Sequence, residues 1–234
     1  MSVIIPTLNE AGNIEKLLTY LKSQLKGVAY ELIVADAGSS DNTRDLSTSI
    51  GATFLSCDRM CRAYQMNEGA RVATGAVLYF VHADTRPPEH FFEEIKSAIK
   101  QGFEFGCFRF KFDSNSFLLA INSYFTRFKS IVFRGGDQSL YITKTAFQKL
   151  DGFNDKMRIM EEYEFIIRAK KQYKFKIIPK DIIVSARKYD ENSYLRVNLA
   201  NFIVFSLFRW GASQKIMLNA YNRLIKHPKQ ESLK

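Results

Sequence analysis

A chain of 234 residues, 46% hydrophobic and 25% charged, suits a soluble globular protein: one large domain, or one domain with a small appendage, and an ample core. Its three cysteines (Cys57, Cys61 and Cys107) are scattered and lack a zinc pattern, which excludes a disulfide framework and reads as free thiols in a reducing compartment. No secretory signal and no apolar run of about 18 residues is present, and the formal net charge of +10 favours anionic partners or a solvated basic surface.

In chain order, Ser2 to Pro6 reads as a short buried strand. Ile14, Leu17, Leu18, Leu21 and Leu25 then fall on one face of a helix over residues 13–25, and Glu31 to Asp36 is a second apolar strand. Strand, helix and strand in this span make a βαβ unit with parallel strands. A helix over 41–50, a short strand over 52–55, a helix over 62–74 ended by Gly75 and a strand over 76–81 follow. Pro87 and Pro88 open a helix over 89–100. This alternation predicts a nucleotide-binding α/β sheet. Beyond it, 106–113 reads as an exposed strand, 116–133 as helix, 139–143 as strand, 145–150 as a short helix and 161–171 as a charged helix. Two late strands are expected at 174–178 and 182–185. Residues 198–226, apolar and then basic, predict an amphipathic helix that closes over the core, contacts a second subunit or lies on an anionic membrane.

Ligands of an open parallel sheet bind beyond the carboxyl ends of its strands, and polar clusters occupy those ends here. Pro6 stiffens the exit of the first strand, and Thr7, Asn9 and Glu10 offer groups for a base or ribose, or a cap for the next helix. Asp36 ends the second strand, where a charge is costly unless used, while Gly38 permits the turn and Asp41 can cap a helix. His82-Ala83-Asp84-Thr85 follows the most apolar strand, and a carboxylate there suits a divalent ion bridging two phosphates. Glu161, Glu162 and Glu164 crowd the start of a helix; they favour its dipole, and crowding raises a carboxylate pKa towards that of a general base.

Taken together, SVIIPTLNE, DAGSSDNT, HADT, GGDQSLYITK and MEEYEF, in this order over residues 2–190, resemble the inverting family 2 glycosyltransferases of the GT-A fold. RMCRAYQMNEGA (59–70), HADTRPP and SARKY (185–189) look closer still to a bacterial subgroup associated with radical-SAM and selenium-related genes. The resemblance implies a Rossmann-like nucleotide-diphospho-sugar transferase domain over 1–190, with a mostly parallel central sheet flanked by helices, and a C-terminal amphipathic helical extension over 191–234. It implies that Pro6, Thr7, Asn9 and Glu10 hold base and ribose, that Asp36 reads the base beside Gly38 and Ser39, and that Arg62, Gln65 and Asn67 surround the nucleotide. Asp84 stands for the surviving acid of Asp-X-Asp and would bind Mn²⁺ or Mg²⁺, His82 having replaced the first acid. Gly136, Asp137 and Gln138 would border sugar and acceptor, and Glu162, at a position usually held by Asp, would be the base, with Glu161 or Glu164 able to share the role. Arg187 and Lys188 are candidates to meet the diphosphate charge.

The implied activity is transfer from a UDP-, GDP- or dTDP-sugar to a small-molecule or lipid-linked acceptor, in the cytoplasm or at the inner membrane face, by a monomer or homodimer and without nucleic acid. A nucleotidylyltransferase or a dinucleotide dehydrogenase would need a Gly-rich loop after the first strand, which residues 6–12 lack. The rivals left are a basic nucleic-acid- or membrane-binding protein and a degenerate, inactive transferase that still binds nucleotide or membrane.

Overall fold

The computed structural model describes residues 1–226, built on one eight-stranded sheet. Its first half runs β1 (Ser2–Thr7), α1 (Ala11–Gln24), β2 (Glu31–Asp36), α2 (Thr43–Ser49), β3 (Thr53–Ser56), α3 (Arg62–Val72), β4 (Val77–Phe80), β5 (Thr85–Arg86) and α4 (Phe91–Lys100). The second half runs β6 (Phe105–Phe112), α5 (Phe117–Phe125), β7 (Leu140–Thr143), α6 (Lys144–Lys149), α7 (Glu161–Ala169), β8 (Phe175–Val184), α8 (Lys188–Glu191), α9 (Tyr194–Arg209) and α10 (Gln214–Leu224). Strand order is β3-β2-β1-β4-β7-β6-β8-β5. The first four strands are mutually parallel, β7 is antiparallel to both neighbours, and β6 and β8 are again parallel.

Alternating side chains explain how this sheet is covered. Val3 and Ile5 face Leu18 and Leu21 of α1, while Ile4 points to the opposite face among Met66 of α3 and Phe80. Both sets are buried, which is why β1 and β2 read as unbroken apolar runs rather than as alternating strands. Each such side chain contributes about 1.5–3 kcal/mol of burial free energy. Pro6, in a central strand, lies beyond the last β1–β4 pair (Ile4 with Phe80), so its missing N–H takes no bond from that neighbour.

Several expectations change. β6 is not an exposed strand: Phe105, Cys107 and Phe108 are buried between β7 and β8. The helix expected over 116–133 stops at Phe125, where the chain turns through a short 3₁₀ segment, Ile131–Phe133. α3 ends at Val72, and Thr85–Arg86 pairs with β8 before α4 begins, three residues after Pro88. The two late strands are one, β8, bulged between Ile178 and Asp181 so that Phe108 and Arg109 remain in register. Arg109 stitches this bulge, donating to Asp181 Oδ1 and to the Pro179 carbonyl, each at 2.9 Å. The C-terminal segment is two helices, broken at Gly211 (φ 73°), that fold back on each other so that Asn192 bonds the backbone of Lys226. The expected extension over 191–234 is thus described only as far as residue 226.

Candidate active site

Three adjacent strand ends, β2, β1 and β4, deliver the first group of side chains. Asp36 is buried, and both its carboxylate oxygens are engaged: Oδ1 accepts from Thr7 Oγ1 (2.8 Å) and Ser39 Oγ (2.5 Å), Oδ2 from the N–H of Gly38 (3.0 Å) and Ser39 (2.7 Å). Gly38, at φ 90°, makes the turn that aims these two N–H groups back at the acid. Asn9 also sits at positive φ; its N–H donates to Ser39 Oγ (2.8 Å) and its Oδ1 accepts from the Ser40 N–H (2.9 Å). The loops after β1 and β2 are therefore one cross-braced unit. Asp36, expected to read a base, spends its acceptors on this brace, because a buried carboxylate without donors would be costly.

Next to this brace lies a cationic clamp. Arg187, on the segment after β8, donates through Nη2 to Asp84 Oδ2 (2.8 Å) and Glu10 Oε1 (3.0 Å). One guanidinium thus joins the ends of β1 and β4. Lys188 stands apart from it, donating to the hydroxyl of Tyr221 on α10 at 2.5 Å.

Glu161 and Glu162, both buried, open α7 after Met160, which is held at φ 67°. Arg62 Nη1 lies 3.3 Å from Glu161 Oε1 and 3.7 Å from Glu162 Oε1. His82 stands on the other side, Nε2 3.5 Å from Glu162 Oε1 and Nδ1 3.7 Å from Asp137 Oδ1. Burial and then the neighbouring Glu162 charge push the Glu161 carboxyl up. Burial pushes Glu162 the same way, but His82 and then Arg62 outweigh it and hold that carboxyl below the usual range. Burial works against a charged His82, yet its contacts with Asp137 and Glu162 lift it to about 9. At neutral pH the centre therefore holds an ionised Glu162 between two cations, beside a Glu161 that retains a proton more readily. Gly136 lines this centre closely: a Cβ there would come within 2.3 Å of Glu162 Oε1 and 2.5 Å of His82 Cε1.

Some expected site residues are used elsewhere. Gln65 is buried, and its Nε2 bridges the Thr7 (2.8 Å) and Ala35 (2.7 Å) carbonyls, tying β1 to β2. Asn67 pairs in both directions with the backbone of Phe153 and anchors the loop before α7. Arg62 sits on the acids of α7, not on the loops after β1 and β2. Gln138 is buried, with its Oε1 next to Cys107 Sγ, while Asp137 remains exposed beside His82. His82 enters this centre as a cation and not merely as the replacement of an acid; its signal in the sequence is a lone imidazole two residues before Asp84 at a strand end.

The donor set bears on a divalent ion as follows. Among the described residues no three His, Cys, Asp or Glu side chains cluster to hold a metal by themselves. Asp84 offers one part-exposed carboxylate, of which Arg187 bonds a single oxygen. A hard cation that brings most of its ligands with a diphosphate fits this donor; a protein-caged ion does not.

Comparison with known proteins decides the family. The sequence pattern described as "Glycosyl transferase family 2" matches residues 2–159. The chain belongs to this family. As a family 2 glycosyltransferase it is 32% identical over 106 residues to the glycosyltransferase AglE of Haloferax volcanii, covering 42% of this chain and 35% of that one. It is 30% identical over 107 residues to a dolichol-phosphate mannosyltransferase of Pyrococcus furiosus, covering 44% and 30%. The chain spans about a third of the length of these curated relatives. In three dimensions it resembles the mannosyltransferase PcManGT of Pyrobaculum calidifontis, determined with GDP-Man and Mn²⁺ (TM-score 0.67, 19% identity, 95% of this chain and 69% of that one). It also resembles the glucosyl-3-phosphoglycerate synthase of Mycobacterium tuberculosis, determined with Mn²⁺, UDP and glucosyl-3-phosphoglycerate (TM-score 0.62, 16% identity, 90% and 80%). The fold of this glycosyltransferase is thus GT-A, an α/β sheet between helices.

Proposed function

We propose that this glycosyltransferase moves a sugar from a nucleoside diphosphate to an acceptor hydroxyl with inversion, and that Glu162 is the base. One observation carries the reading: a buried carboxylate held ionised between His82 and Arg62, on the same sheet edge as the Asp84–Arg187–Glu10 clamp. In the reaction the acceptor oxygen attacks the anomeric carbon as the bond from that carbon to the diphosphate oxygen breaks. The electron pair leaves with the diphosphate, and the hydroxyl proton goes to Glu162. A positioned base of this kind contributes roughly 10²–10⁴-fold in rate. A single protein carboxylate suffices, because the acceptor supplies the nucleophile, whereas hydrolases need a pair.

Arg187 is the cation we assign to the leaving diphosphate, since phosphate oxygens can exchange with Asp84 and Glu10 for its donors. A Mn²⁺ or Mg²⁺ ion, when bound, would be held by Asp84 and would neutralise further charge on the same group. Thr7, Asn9, Glu10 and Ser39 are the groups we assign to base and ribose, on a loop pair made rigid by Asp36. The kinship with the radical-SAM- and selenium-associated subgroup rests on residues 59–70, 82–88 and 185–189 and belongs to the same proposal.

The test is a panel of UDP-, GDP- and dTDP-sugars with Mn²⁺, read by thermal shift and by release of the nucleoside diphosphate. A donor at a hundred times its Kd adds about 2.7 kcal/mol of stability. No shift and no release with any donor would overturn the proposal.

A further inference from the structure

We infer that the face formed by α5 and α9 docks on an anionic membrane surface. Of the thirteen large hydrophobic side chains exposed among the described residues, eleven lie in two segments, 117–132 and 195–216. The most open are Trp210 (83% exposed), Leu195 (78%), Phe117 (77%) and Phe202 (68%).

These segments are neighbours in space. Asn122 on α5 donates to Asn198 Oδ1 on α9 at 3.2 Å and accepts from the Tyr194 hydroxyl at 2.9 Å. Residues three or four positions away share the face of such a contact. They are Leu118 and Phe125 on α5, Leu195 and Phe202 on α9, and all four are exposed. The opposite side of α9 is apolar as well, with Val197, Ala200 and Val204 buried. α9 thus carries large apolar side chains on its exposed side as well as its buried one, where a water-facing helix shows mainly polar ones. An apolar face of this extent marks an interaction site.

Charge selects the occupant. Residues 114–136 and 192–226 contain no Asp or Glu, although the whole chain has 24, and they carry eight Lys or Arg. Arg127, Lys129, Arg209 and Lys215 are exposed beside the apolar side chains. A two-fold interface would set this patch against its own copy, cation facing cation, which argues against a homodimer here. Aromatic and aliphatic side chains flanked by Lys and Arg are what an interfacial helix presents to anionic headgroups. No helix among the described residues is long and apolar enough to cross a membrane, so the contact is one of lying on the surface. The same helix reaches the reaction centre: Phe205 and Phe208 pack on the ring of Tyr163, next to Glu162, with centroids 5.6 and 6.4 Å apart. Docking would hold that centre close to the headgroups.

The test is co-sedimentation with vesicles of phosphatidylcholine and phosphatidylglycerol, against phosphatidylcholine alone. The wild-type chain is expected to pellet with the anionic vesicles, less so as salt rises, and to stay in solution with neutral ones. L195S/F202S and R127E/K129E should each weaken binding about tenfold or more, with unchanged melting temperature and unchanged thermal shift by nucleotide. Two results would overturn the inference. One is wild-type chain left in the supernatant at low salt. The other is a dimer in light scattering that L195S/F202S converts to monomer while vesicles have no effect. Nucleotide binding is read separately, so failure here leaves the transferase proposal standing, and the reverse.

Discussion

At the level of single residues, the buried acidic centre is governed by which charges can coexist in a small space. Arg62 and His82 keep Glu162 ionised, and Glu161 carries the burden of crowding. Glu162→Gln should therefore lower turnover roughly 10²–10⁴-fold while leaving nucleotide binding intact, measured as sugar transfer and as thermal shift on the same preparation. Gly136→Ala is expected to behave differently from most glycine substitutions. The added Cβ meets the buried ends of the Glu162 and His82 side chains rather than backbone, so it pushes them out of their ion pairs: transfer is lost and the melting temperature falls with it. His82 also gives a pH signature. Its folded value of about 9 lies above its ordinary 6.5, so its contribution to stability is complete below about 6.5 and disappears as pH rises through about 9. Melting temperatures taken from pH 6 to 10 should fall across that window in the wild type and fall less in His82→Asn. Asp36 and Asp84 are legible in the sequence because a charge at a strand end demands a use, and Glu161 and Glu162 because they crowd a helix start. The pairing of Arg62 and His82 with these acids is not legible, because the partners lie on α7 and in the turn at Asp137, far away in the chain.

Among the elements, β1 to β4 and β7 were readable, whereas β5, the burial of β6, the continuity of β8 and the end of α5 were not. β1, β2 and β4 are unbroken apolar runs with helices between them, the pattern of a parallel sheet covered on both faces. β8 was split in two because Pro179 and Lys180 interrupt its apolar run; the bulge that absorbs them depends on Arg109, which belongs to another strand. α5 was overextended because its aromatic residues continue past Phe125 into a turn that packs Phe125 on Phe133, ring centroids 5.1 Å apart. Gln65 shows how an apparent ligand residue can be part of the frame. Gln65→Leu removes the donor to two buried carbonyls, Thr7 and Ala35. It should cost about 1–3 kcal/mol in urea unfolding, and weaken nucleotide binding only through the loosened loops.

On the scale of the whole molecule, the candidate site is assembled from distant stretches of chain: the loops after β1, β2 and β4 lie in its first half, Glu161 and Glu162 open α7, and Arg187 follows β8. Arg187→Ala should show that dependence: nucleotide affinity falls about 10–100-fold, as for loss of a charge-assisted contact, measured by titration, with Glu10 and Asp84 left facing each other.

The reach of that one arginine has a consequence for synthesis. Its contacts span 177 positions to Glu10 and 103 to Asp84, so a growing polypeptide makes both acids long before the arginine that joins them. The early strands have only their apolar faces to assemble on, and the charge we assign to a diphosphate joins them afterwards.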